Sequence, residues 1–161
     1  MSCWGPSSAI DLRRAASRWR TAGIAWAVAG DWLEAKRAGF PQAAAPATKR
    51  ILDRLAGLAP LWAKLPENDA GLGEARRLLT EHLPRLVEAF ARVPQAARAE
   101  NPEVARGLVM GLAAVAEELD RMWAALTQES VRGVAVEGRF LETRYGENVP
   151  DSEASTPGLP Q

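Results

Sequence analysis

Leu12, Trp19, Trp26, Leu33 and Phe40 stand one heptad apart, with Ala16, Gly23 and Gly30 at the alternate positions. Seven residues nearly complete two turns of α-helix, so the large side chains fall in one line and the small ones let another backbone come close. A chain that opens on such a seam is built to pack helices. Ser8 with Asp11 resembles a capping box, and Gly39 with Pro41 closes the pattern, which predicts a helix over 9–38. Ile24, Val28 and Trp32 lie on another side of it, so its middle turns are apolar nearly all round and need cover.

The stretch 41–47, rich in Ala and Pro, reads as a linker. Ile51, Leu55, Leu58, Trp62 and Leu65 then repeat at helical spacing and predict a helix over 48–65, with a kink or break at Gly57–Pro60 because proline clashes with the carbonyl four residues back. After a loop over 66–73, capped by Asn68 or Asp69, a third helix is expected over 72–93 on Leu72, Leu79, Leu83, Leu86, Phe90 and Val93. Its outer face carries Arg77–Glu81, Glu81–Arg85 and Glu88–Arg92 at the spacing of intrahelical ion pairs, the signature of a solvated surface.

Asn101-Pro102-Glu103 combines a capping side chain, a proline where no N–H is needed and an acid at the positive end of the dipole. It opens a helix predicted over 103–128, with Leu108, Leu112, Val115, Leu119, Met122 and Leu126 in a four-three pattern. Val131, Val134, Leu141 and Tyr145 suggest a weaker helix over 130–145, loosened by Gly133 and Gly138. Pro, Ser, Glu and Gly dominate 147–161, which is expected to be a disordered tail. The predicted architecture is all-α: one helical domain over 1–146, an elongated antiparallel bundle or hairpin stack of four to five helices.

The 161 residues suffice for one core. Formal charge is zero, but residues 1–64 carry ten Lys/Arg against four Asp/Glu, while the remainder carry ten against sixteen, a polarity that favours head-to-tail packing within or between chains. The basic residues are spread around the helices rather than gathered on one face, which argues against nucleic acid. Cys3 is the only cysteine, so no disulfide framework or thiolate metal site is expected. The apolar run 22–30, bounded by Arg20 and Asp31, falls well short of the roughly 20 residues that span a bilayer and lacks a signal-peptide cleavage pattern. A cytoplasmic setting is expected, with membrane-peripheral contact as the variant.

No chemistry-bearing motif is complete. His82 is the sole histidine and has no Glu or His at ligand spacing, position 79 being Leu79. Gly71-x-Gly73 lacks the third glycine and the strand of a dinucleotide site. Leu83-Pro84 allows two readings, a polar notch at the freed Thr80 carbonyl beside Glu81 and His82, or a bend that wraps the helix around its neighbour. Gly107-x-x-x-Gly111 permits close backbone approach, as a packing detail or as a dimerisation signal. No catalytic residue, metal ligand or cofactor is assigned.

Residues 82–94, with His82, Leu83, Pro84, Phe90 and Pro94, and the ending 137–146, with Arg139, Phe140 and Leu141, resemble the helical domain named for 5-bromo-4-chloroindolyl phosphate hydrolysis, a group associated with toxic-anion resistance. His82 stands where the pattern has tyrosine. The resemblance implies a helical hairpin in a membrane-linked or stress-response setting, and its name alone implies hydrolysis of phosphate esters.

The first helix stays open to three readings: a core helix with a basic first turn, self-association through the seam, or contact with an anionic membrane through Arg13, Arg14, Arg18 and Arg20 beside Trp19, Trp26 and Trp32. The function expected is a non-enzymatic interaction or adaptor protein that binds itself or another helical protein through Leu12, Trp19, Gly23, Trp26, Gly30 and Leu33. A peripheral membrane regulator and a phosphate-ester hydrolase are the alternatives.

Overall fold

The computed structural model describes residues 22–146, with side chains from Trp26 onward. The expected turns 9–21, Leu12, Trp19 and the tail 147–161 lie outside the described residues. Those described form five helices and no strand. They are α1 (Ala22–Lys36), α2 (Ala45–Trp62), the three-part α3, α4 (Gln95–Glu100) and α5 (Pro102–Tyr145). α3 is α-helical over Ala70–Arg77, π-helical over Leu78–His82 and α-helical again over Leu83–Arg92. The chain divides into two compact units at Ala125/Leu126.

α1 ends in a single 3-10 turn, Arg37–Gly39, and Phe40 is extended at ψ 151°, the conformation that a following proline imposes. The expected linker 41–47 is instead a 3-10 turn, Gln42–Ala44, running into α2 at Ala45. Alanine is the best helix former, and Pro46 sits in the first turn, where a missing N–H costs nothing. Nor does Pro60 break α2, which runs on to Trp62. The helix ends within three residues, so proline forfeits little of the remaining hydrogen-bond ladder. Ile51, Leu55, Leu58 and Trp62 are all buried, as their spacing requires.

α1 and α2 pack antiparallel: Trp26 meets Trp62 with ring centroids 4.1 Å apart, while Gly30 faces Leu52, further from the α2 C-terminus. α2 and the first-unit part of α5 run in the same direction, with Arg50 and Arg54 at Asp120 and Gly57 at Trp123. The antiparallel packing expected of consecutive helices holds for α1 and α2, while α2 and α5, separated by two helices in the chain, run parallel.

Asp69 caps α3, its carboxylate accepting from the Leu72 N–H at 2.9 Å, so the helix begins at Ala70 rather than at 72. The π turn precedes Pro84, and the Leu83 N–H donates to the Leu78 carbonyl instead of the one four residues back. Widening this turn moves the Thr80 carbonyl away from the proline ring that would strike it in a regular helix. The wider turn also keeps Ala75, Leu79, Leu83 and Val87, four residues apart, on the buried side, although an ideal helix would rotate them off it. A second effect falls on the charge ladder. Arg77 pairs with Glu74 at 3.9 Å and not with Glu81 across the π turn, Glu81–Arg85 forms at 3.8 Å, and no Glu88–Arg92 pair is present among the described residues.

α4, absent from the sequence expectation, secures the end of α3: Arg98 donates to the carbonyls of Val93 (2.6 Å) and Ala91 (3.1 Å) and lies 4.5 Å from the Phe90 ring centroid. Phe90 in turn meets Phe40 edge to face at 6.3 Å. Asn101 accepts from the Glu103 N–H at 3.0 Å, as the start signal requires. From there one helix of 44 residues replaces the two expected over 103–128 and 130–145, because Gly133 and Gly138 keep helical backbone and add no break.

Two glycines make close approaches that a side chain would block. A Cβ on Gly57 would lie 2.9 Å from the Trp123 ring, and one on Gly111 would lie 2.5 Å from Leu86. Gly107, exposed, has open space around it and a helical φ. Gly57→Val is therefore expected to destabilise the protein by about 1–3 kcal/mol through overpacking. Gly107→Ala should stabilise it by about 0.5–1 kcal/mol through helix propensity. Denaturant unfolding of both variants checks the opposite signs.

Candidate interaction surface

Within the described residues, the seam of the first helix turns inward. Trp26 and Leu33 are buried, Trp26 against Trp62, and Gly23 lies within α1. Gly30 meets Leu52 at ordinary contact distance, 4.0 Å from a built Cβ. A groove of about 360 Å³ runs over Gly30, floored by Leu52, Leu55 and Ala56 and edged by Asp31 and Glu34. Its lining offers two exposed carboxylates and no nucleophile or basic group. The Arg13, Arg14, Arg18 and Arg20 cluster lies outside the described residues.

The residues of the family-like pattern fall into two settings. Leu83, Pro84 and Phe90 are buried in the first unit, His82 is exposed at the end of the π turn and Pro94 is the exposed N-cap of α4. Arg139, Phe140 and Leu141 lie exposed in the second unit. At the position considered for a polar notch, Thr80 is buried and its hydroxyl donates to the Arg76 carbonyl at 2.8 Å, while Glu81 is half-buried and His82 is exposed. Gly111 is the packing glycine of its pair and Gly107 is not. Among the described residues no three His, Cys, Asp or Glu side chains gather as metal ligands, and no helix is long and apolar enough to cross a membrane.

Among the described residues, the one interhelical ionic cluster joins α2 to α5. Arg50 donates to one oxygen of Asp120 and Arg54 to the other, and the Arg54 guanidinium also lies 5.3 Å from the centroid of the Trp123 ring. Sequence reading missed this cluster, since its halves are 66 and 70 residues apart and carry no motif. Hydrogen bonds from Arg54 and then Arg50 hold the Asp120 carboxyl below its ordinary range. Each carboxylate oxygen accepts from a different arginine, so the group acts as a clasp between the two helices. A depressed folded-state pKa adds stability above the unfolded value and loses it as pH falls through the folded one. Asp120→Asn should therefore cost about 1 kcal/mol at pH 7. The gap between variant and parent should close in acid, below about pH 4, as followed by thermal unfolding across pH.

The second unit has a different character. Every described residue from Gln128 to Gly146 is exposed, including Val131 (66%), Val134 (74%), Leu141 (47%) and Tyr145 (61%). At 3.6 residues per turn, Val131, Val134, Gly138, Leu141 and Tyr145 form one stripe with three-four spacing, about 22 Å long. Val136 and Phe140, also exposed, fall outside it. Glu137 and Arg144 flank the stripe on one side, and Ala135 and Glu142 on the other. Their apolar spacing marks a helix in the sequence but does not reveal that the face would be left uncovered.

Comparison of the chain with protein-family models, curated proteins and solved structures finds no match to any of them. The resemblance of 82–94 and 137–146 thus rests on those residues alone.

Proposed function

We propose that this chain is a helical interaction protein that acts by binding, and that its binding face is the stripe Val131, Val134, Gly138, Leu141 and Tyr145 on α5. The observation that carries this reading is the exposure of four large apolar side chains along a single helical line. Scattered surface hydrophobes need no explanation, whereas a continuous row flanked by charges is the pattern of a helix that docks on another.

Local energetics support the same reading. Between 131 and 145 stand three valines and two glycines, all poor helix formers, and no side chain there is buried. Isolated helices of this length are marginal in water even with better residues, so burial of the stripe against a partner supplies what propensity lacks.

If the stripe serves a partner, polar substitution there should leave the chain's own core intact. Val134→Glu combined with Leu141→Glu is expected to shift the unfolding midpoint of the dilute protein by less than about 0.5 kcal/mol, the range of ordinary surface changes. A loss of about 2 kcal/mol or more, the cost of disrupting a buried contact, would place these residues in the chain's own core and end the interaction reading. Chemical denaturation at submicromolar concentration reads the difference.

A further inference from the structure

We infer that the occupant of the α5 stripe is a second copy of the same chain, paired antiparallel; the inference rests on the binding reading above and adds the partner and its direction. Two observations set that direction. The first is shape. Gly138 sits in the middle of the stripe with no heavy atom within 4 Å of a built Cβ, so it is a gap in a row of large side chains. A parallel, in-register pair would stack Gly138 on Gly138 of the second copy and leave an empty layer. An antiparallel pair with Val134 facing Tyr145 of the second copy brings Gly138 to Leu141 of that copy, and by symmetry both gaps are filled.

The second is charge. In the antiparallel register Glu137 comes beside Arg144 of the second copy, and the two-fold axis repeats that contact. In the parallel register Glu137 meets Glu142 of the second copy, and that repulsion is repeated instead. Neither Glu137 nor Arg144 forms an ion pair among the described residues, and Arg144 is held on the flank of its own helix 5.8 Å from the Phe140 ring. Neither charge therefore has an ionic partner to give up on pairing across the interface. Filling the glycine layers and pairing these charges select the same orientation.

The test is sedimentation equilibrium of the full chain at low ionic strength, where screening is least, with Glu137→Arg, Arg144→Glu and the double variant beside it. The parent should dimerise. Each single variant turns two attractions into two repulsions and should weaken the dimer about tenfold, while the double variant should recover to within about threefold of the parent because the pair is restored with reversed sign. Circular dichroism confirms that the exposed substitutions leave the fold unchanged. A tighter dimer for Glu137→Arg would mean parallel pairing and overturn the inference. Single variants that dimerise like the parent would overturn it as well, and so would a monomeric parent at every concentration. The last result leaves the broader binding reading standing or falling on the Val134→Glu/Leu141→Glu denaturation, so the two failures are distinguishable.

Discussion

α2 is the wall on which the first unit depends, because two of its faces are committed to two different helices. Ile51, Leu55, Leu58 and Trp62 are buried on one face, and Trp62 meets Trp26 of α1 there with the ring planes tilted by 42°. Arg50, Arg54 and Gly57 lie about a quarter turn round the helix and hold α5 through Asp120 and Trp123. Fully burying each large apolar side chain contributes about 1.5–3 kcal/mol, against about 1 kcal/mol or less for a half-exposed ion pair. Apolar burial thus supplies the stability, and the arginine clasp with the glycine notch fixes which part of α5 sits at which turn of α2.

The division between what the residue pattern reveals and what it hides follows from range. Helical spacing within one segment, as in Ile51–Trp62 or Leu108–Leu119, reports directly on which side is buried, because the period and the burial arise from the same geometry. Caps are equally local, and both Asp69 and Asn101 bond their own first turns. The clasp and the Gly57–Trp123 contact depend on residues that meet only after folding. Nothing near Gly57 indicates an indole, and with Pro60 it reads as a breaker when it is in fact a notch.

The π turn of α3 is an intermediate case. Pro84 signals a disturbance, and both readings of it place the consequence in the backbone just upstream. The apolar residues at 75, 79, 83 and 87 carry the further clue, since a spacing of four exceeds 3.6 and requires a wider turn somewhere if one side is to stay buried. The helix absorbs both demands at Leu78–His82, and the Arg77–Glu81 pairing is lost as a result. A proline, a packing register and a surface ion pair are thus linked through one backbone adjustment.

The same reasoning separates glycines that are finished from one that is not. Gly57 and Gly111 are bare positions on buried helix faces, and each is met by a large side chain of another helix, Trp123 and Leu86. Gly107 and Gly133 have open space and lie off the apolar stripes, where a missing side chain leaves no gap in a contact surface. Gly138 has open space too, yet it stands between Val134 and Leu141 on an apolar line. At such a position glycine lowers helix propensity by about 1 kcal/mol relative to alanine. Within this protein the glycines set on packed faces return that cost by admitting a large neighbour. Gly138 has the same surroundings along its own helix and lacks only the neighbour.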